Sequence, residues 1–195
     1  MTESLRNSSM VVALAGMPGA GKSTLAAELA ASLKLRMADL DEAIAVREGA
    51  AVAEIFRRHG ERGFRDREVA ELARLLAEID GTPLVIALGG GTGVADPRSA
   101  DLLRGRVKVV YLWCTPRHLV GALQEEEERS KRPLLATGDI SERLEHLYAE
   151  RHRAYLELAD VVLGPDLPWD ELRARALAEL RAWLGMASDA TGEAG

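Results

Sequence analysis

The sequence predicts an α/β fold of three layers, with a central parallel sheet of about five strands covered by helices on both faces. Three observations lead there. Short apolar runs of strand length alternate with longer stretches of helical spacing along nearly the whole chain. The runs are continuously apolar, the pattern of parallel strands buried on both faces. The first of them enters a glycine-rich turn and then passes directly into a helical pattern, as a βαβ unit begins.

Residues 10–15 (MVVALA) form the first predicted strand, and LAAELAASLKL, downstream of Ser23, forms the first helix. Residues 36–39 (RMAD) read as a short second strand. Short helices follow at 43–46 and 52–58, and a long one at 61–79. Residues 83–88 (PLVIAL) are the next buried strand, ending in three glycines. A helix at 97–103 leads to a strand at 107–113 (VKVVYLW). Helices are then expected at 116–128, 141–158 and 169–184, with a short strand at 161–163 between the last two. Trp113 is expected in or beside the sheet, and Trp169 and Trp183 in the packing of the last helix. The segment 129–141 lacks periodicity and interrupts helical pattern on both sides, which suggests a lid. A single domain over residues 10–186 results, with flexible ends at 1–9 and 187–195.

Composition narrows the class of partner. The 195 residues carry a formal charge of −6 with only 4% aromatics, so neither nucleic acid nor a membrane surface is expected as the partner. No apolar run reaches the length of a membrane span, and the first nine residues lack the apolar stretch of a secretory leader. The one cysteine, Cys114, cannot form an internal disulfide and reads as a buried small hydrophobe. A cytoplasmic monomer is expected, since nothing calls for a second subunit.

Gly16-Met17-Pro18-Gly19-Ala20-Gly21-Lys22-Ser23 fits the pattern G-x-x-x-x-G-K-[ST], in the confirming context of a strand before and a helix after. Its glycines let backbone N–H groups converge on phosphate oxygens, and the helix N-terminus adds positive potential. The expected nucleotide contacts are Gly19, Ala20, Gly21, Lys22, Ser23 and Thr24. Lys22 reaches the β- and γ-phosphates and the Ser23 hydroxyl ligates Mg²⁺. This gives a P-loop kinase type of fold using ATP and Mg²⁺.

The acceptor must be read elsewhere. Asp39 and Asp41 follow the second strand, where ligands of α/β proteins bind, and period-2 alternation would point both carboxylates the same way. One could join the Mg²⁺ shell while the other accepts a hydroxyl proton; alternatively, Asp41 is only the N-cap of the helix beginning EAIAVRE. Arg65 and Glu68 are spaced to pair on a helix, either as a solvated ion pair or within a site. Gly89-Gly90-Gly91 marks a close backbone approach to a ligand, or a plain turn.

In order along the chain, GMPGAGKST (16–24), Asp39 and Asp41, IF (55–56), FRDRE (64–68), LGGG (88–91), RPLL (132–135) and Arg151 with Tyr155 resemble the shikimate kinase family over about residues 11–184. The resemblance implies transfer of the ATP γ-phosphate to the 3-hydroxyl of shikimate, in aromatic amino-acid biosynthesis. It implies that Asp41 contacts the reacting diol and accepts its proton, and that Arg65 and Arg151 grip the substrate carboxylate. Gly89 and Gly90 offer backbone N–H groups, and Phe56 and Phe64 wall the ring. Asp39 joins Ser23 in the magnesium shell through water, and Arg132 comes down with the lid onto the phosphates. The chain departs from the family pattern at Glu125–Glu128, where basic residues are usual; four acids at a helix C-terminus oppose its dipole. Two other readings stay open at this point. One is a related kinase of another small cyclic hydroxy acid, and the other a nucleotide-binding regulatory module without catalysis.

Overall fold

The first apolar run becomes the central strand, β1 (Val11–Gly16), every residue of which is buried. The computed structural model describes residues 11–79, 81–123 and 138–186. Beyond β1 the elements are α1 (Lys22–Leu33), β2 (Arg36–Asp39), α2 (Leu40–Glu48), α3 (Val52–Ala77), β3 (Leu84–Ala87) and α4 (Pro97–Leu103). There follow β4 (Lys108–Leu112), α5 (Pro116–Ala122), α6 (Ile140–Leu158), β5 (Val161–Leu163) and α7 (Trp169–Trp183). Of the lid predicted over 129–141, residues 129–137 lie outside the described residues, as do residues 124–128, for which the sequence predicts a helix, and both predicted flexible ends. The lid's last two residues, 140 and 141, instead open α6.

Five strands form one all-parallel sheet in the order β2-β3-β1-β4-β5. The fold class read from the sequence is the one observed. The central strands β1, β3 and β4 carry Val, Ile, Leu and Ala because both their faces are covered. β2, at the edge, is short and exposes Arg36 and Met37, which blunts that edge against pairing with another chain. Helix α1 packs on β1, β2 and β3, α6 on β4, α7 on α1 and β5, and α2 lies along α3. No helix among the described residues is long and apolar enough to cross a membrane.

Local chemistry sets the helix starts. Asp39, Asp96, Thr115 and Asp139 each accept a backbone N–H from the first turn of α2, α4, α5 and α6, and Pro97 and Pro116 open their helices. Within α3 the helical φ/ψ is broken at Gly60 (φ 66°, ψ −178°), which only glycine adopts readily. The rod is thus two helices meeting at a kink, in agreement with the two separate patterns in the sequence. The second begins at Glu61 and aims Phe64, Arg65 and Glu68 inward.

At the far side of the sheet, the segment after β5 is tied to the segment after β4 by one side chain. The Asp166 carboxylate accepts from the Thr115 backbone N–H at 2.8 Å and from the Thr115 hydroxyl at 2.7 Å. Asp166→Ala leaves that half-buried amide without its partner and should cost about 1–3 kcal/mol of unfolding free energy. Asp166→Asn, which keeps a carbonyl oxygen there, should cost less. Urea titrations of both variants, read at constant m, check the ranking.

Candidate active site

Because the strands are parallel, their carboxyl ends deliver three segments to one edge of the sheet. These are the loop 16–21 after β1, Asp39 at the end of β2, and Gly89–Gly91 just past β3. In the loop, Gly19 (φ 86°) and Gly21 (φ 80°) hold left-handed backbone that L side chains rarely adopt. A Cβ on Gly19 would also lie 2.9 Å from Leu123, and one on Gly21 would lie 2.7 Å from the Trp169 ring. Helix α1 starts at Lys22 without a side-chain cap and without an acidic residue in its first turn. Its first N–H groups and its positive dipole end therefore face the loop uncompensated, as an anion site requires. Lys22 is buried, and its ammonium donates to the Gly16 and Met17 carbonyls at 2.9 and 3.0 Å, folded across the loop. Gly19, Gly21, Lys22, Ser23, Thr24, Ala122 and Leu123 line a cavity of about 350 Å³. Of the nucleotide contacts expected from the sequence, Gly19, Gly21, Lys22, Ser23 and Thr24 line this cavity; Ala20, buried within the loop, does not.

The Ser23 hydroxyl donates to Asp39 Oδ2 at 2.5 Å, beside that cavity. Asp39 ends β2 and is also the N-cap of α2, accepting from the Glu42 N–H at 3.1 Å through Oδ1. One hydroxyl and one carboxylate side by side suit Mg²⁺, which keeps several waters and takes its other ligands from substrate phosphates. The sequence reading needs correction here. Asp41 is not the cap, and strand alternation does not relate the two acids, because α2 has begun by Leu40. Asp41 sits in the first helical turn, and the turn of the helix rather than the pleat of a strand sets its direction.

Asp41 Oδ1 is shut off from solvent and has no hydrogen-bond partner among the described residues, although the residue as a whole is only half-buried. Around the position a Cβ would take on Gly89, Glu68 Oε1 lies at 2.6 Å, Asp41 Oδ1 at 2.8 Å and Thr92 Oγ1 at 2.9 Å. Only glycine leaves room for these three polar atoms. Arg65 pairs with the fully buried Glu68, whose other oxygen accepts from the Thr92 hydroxyl at 2.7 Å. Its second guanidinium nitrogen reaches the half-exposed Glu61 at 3.1 Å. A Cβ on Gly91 would collide with the same guanidinium. From the other side, Arg151 and the Tyr155 hydroxyl both donate to the Gly90 carbonyl, at 2.8 and 2.7 Å. Gly90 itself packs on Pro18 of the phosphate loop. Phe56 and Phe64 lie beside this group with ring centroids 4.4 Å apart. A second cavity, of about 640 Å³, opens in front of Arg151 between Glu61, Val94 and α6.

Asp41, Arg65, Gly89, Gly90 and Arg151 are therefore one cluster, in contact with the phosphate loop through Gly90 and Pro18. The Arg65–Glu68 pair is buried, not a solvated surface bridge. Arg132 and Glu125–Glu128 lie outside the described residues. Sequence reasoning gave no role to Glu61 or Thr92. The signals available were the i,i+4 spacing of Glu61 to Arg65 and the position of Thr92 directly after the glycines.

The charges are not neutral bystanders. Burial pushes the Asp41 carboxyl up to about 6, with help from the neighbouring Glu68 and Asp39 and some opposition from Lys22 and Arg65. Burial works against the Arg65 charge, but Glu68 and Glu61 outweigh it and hold its pKa above the ordinary arginine value. Arg151 is held below that value, by burial and then by repulsion from Arg65. In the unfolded chain Asp41 titrates near 3.8. The fold therefore prefers the protonated form, and ionised Asp41 lowers stability. That cost is absent below the unfolded value, grows between about pH 4 and 6, and levels off at roughly 3 kcal/mol above it. Asp41→Asn should raise unfolding free energy by about 1–3 kcal/mol at pH 7.5, and by about a third of that at pH 4.5. Urea titrations at the two pH values check this.

Comparison with known proteins places the chain. The profile of the shikimate kinase family matches residues 18–180. A shikimate kinase of Bradyrhizobium diazoefficiens is 38% identical over 173 residues, covering 89% of this chain and 80% of that protein. One from Francisella tularensis subsp. novicida is 43% identical over 150 residues, covering 77% and 82%. Among solved structures, a shikimate kinase from Acinetobacter baumannii in complex with shikimate superposes with a TM-score of 0.79 at 30% identity, covering 90% of this chain and 93% of that one. The enzyme from Aquifex aeolicus gives 0.70 at 28% identity, over 89% and 98%. Sequence and structure agree over most of the chain, and the protein belongs to the shikimate kinase family.

Proposed function

We propose that this protein is a shikimate kinase, transferring the γ-phosphate of ATP to the 3-hydroxyl of shikimate to give shikimate 3-phosphate and ADP. Beyond family membership, one observation supports this acceptor above others. A carboxylate with an unpartnered buried oxygen, Asp41, stands beside two buried arginines, and the glycine segment between them rests on the phosphate loop. Arginines suit a carboxylate, which they grip in a planar fork, and an unpartnered carboxylate oxygen suits a hydroxyl donor.

In this reading Arg65 and Arg151 hold the substrate carboxylate, and the backbone of Gly89 and Gly90 supports the ring substituents. Asp41 accepts the hydroxyl proton as the oxygen attacks the γ-phosphorus and the bond to the β-phosphate oxygen breaks. A base titrating near 6 is mostly ionised at pH 7 yet basic enough to take that proton. Lys22 exchanges its two loop carbonyls for the β- and γ-phosphates. Ser23 and Asp39 would hold Mg²⁺, which neutralises charge on the transferring phosphate. Arg132 is assigned to the lid that closes over the phosphates and keeps water out. From its acidic composition and its single cysteine we read the protein as cytoplasmic, and we read it as a monomer.

A coupled ADP-release assay with Mg²⁺, ATP and shikimate tests the reading. Saturable shikimate-dependent turnover is expected, with gluconate giving none. Arg65→Ala and Arg151→Ala should each lower kcat/KM for shikimate by about 30-fold or more while binding ATP normally. Asp41→Asn should lower kcat by about 10²- to 10⁴-fold. Better turnover of another small acid, or full activity in the arginine variants, would overturn the assignment. The profile of kcat/KM against pH should rise through an apparent pKa near 6, because Asp41 must lose its proton to act.

A further inference from the structure

Trp169 does not sit where the sequence reading puts it. It was expected in the packing of the last helix, yet it is 36% exposed, whereas Trp113 and Trp183 pack against the core. The core face of α7 is filled without it, by Leu172, Ala176 and Leu180. The indole lies instead on the phosphate loop. A Cβ on Gly21 would be 2.7 Å from Cζ3 and 3.1 Å from Cη2, so the six-membered ring rests directly on that glycine. At its other end the indole N–H donates to Glu28 Oε1 of α1 at 3.2 Å, which fixes the ring's tilt. A large aromatic surface is thus held in place beside the loop, part of it open to solvent.

The loop also has a direction. Its Pro18 end carries Gly90 and, through Gly89, the acceptor group around Asp41. Its Gly21 end carries Trp169. The γ-phosphate must face the acceptor, so the phosphates run along the loop from Pro18 toward Gly21, and the nucleoside leaves at the Gly21 end. The cavity over the loop is lined by Gly21, the residue that Trp169 packs on, and by Ala122 at the end of α5.

We propose that Trp169 is the stacking platform for the adenine base of ATP, holding the nucleoside at the end of the phosphate loop opposite the acceptor. The inference rests on the reading of 16–23 as the ATP site, but not on the identity of the acceptor. Stacking between a base and an aromatic side chain contributes about 1–3 kcal/mol, or roughly 5- to 150-fold in affinity.

The test separates base from phosphate. Binding of Mg²⁺·ATP and of Mg²⁺·tripolyphosphate is measured calorimetrically for the wild type, Trp169→Leu and Trp169→Phe. Trp169→Leu should weaken ATP by at least about fivefold and leave tripolyphosphate within about twofold. Trp169→Phe, which keeps a ring, should fall between the two. Equal weakening of both ligands would make Trp169 a wedge for the loop and overturn the proposal, as would unchanged ATP affinity. Should Trp169→Leu fail to fold, intrinsic fluorescence decides. The emission change caused by ATP, and not by tripolyphosphate, must be present in the wild type and absent from Trp169→Phe; if it persists in that variant, the proposal fails. No arm contains an acceptor, so failure here is distinct from failure to phosphorylate shikimate. A wild type that binds neither ligand would overturn the ATP reading of the loop, and this proposal with it.

Discussion

All five strands run in the same direction, so every chemical group carried just past a strand end is delivered to one edge of the sheet. The rest of the site depends on that constraint. β1 is central and hands over the phosphate loop; β3, beside it, hands over Gly89–Gly91; β2, one strand further, ends on Asp39. Residues separated by about seventy positions in sequence become neighbours because parallel strands share a register. The contact that joins donor and acceptor halves is correspondingly small: Gly90 against the Pro18 ring, too close for any side chain on the glycine.

Around that contact the molecule holds an unusual concentration of buried charge. Arg65, Glu68 and Arg151 are almost fully enclosed. Desolvating such groups costs several kcal/mol each unless they are paired, and here the pairing is incomplete. Among the described residues, Glu68 is satisfied by Arg65 and Thr92, whereas Arg151 has the neutral Gly90 carbonyl and Asp41 Oδ1 has no partner. In the proposed reading this imbalance is what a polyhydroxylated acid would answer, its carboxylate meeting Arg151 and its hydroxyl meeting Asp41. The stability sacrificed at Asp41 and the readiness of Asp41 to take a proton have one cause, its burial among other acids.

The phosphate loop is pinned at both ends. Gly90 rests on Pro18, Leu123 on Gly19 and Trp169 on Gly21, so three segments from different parts of the chain hold one loop in shape. Such bracing lets the backbone N–H groups meet phosphate already oriented, without ordering the loop at each binding event. Lys22 is folded back onto that loop through the Gly16 and Met17 carbonyls, which in the proposed reading it would exchange for phosphate oxygens.

Much of this was legible in the residues alone. Continuous apolar runs dictated a parallel sheet, because strands covered on both faces have no polar side to show. The glycine loop with Lys22 and Ser23 identified a phosphate site, because only that backbone lets several N–H groups converge. The break at Gly60 falls between two helical patterns already separate in the sequence, whereas the caps at Asp96, Thr115 and Asp139 are local features the sequence reading did not name. What the sequence could not settle was direction and enclosure. Whether Asp41 follows a strand or a helix, whether Arg65–Glu68 is solvated or sealed, and whether Trp169 faces the core or the loop all depend on what distant segments bring alongside. The sequence by itself determined the sheet, the phosphate loop and the residue types of the acceptor site. Only the tertiary structure decided which carboxylate is left unpartnered and which tryptophan meets the loop, because burial is a property of the neighbours a residue acquires and not of the residue.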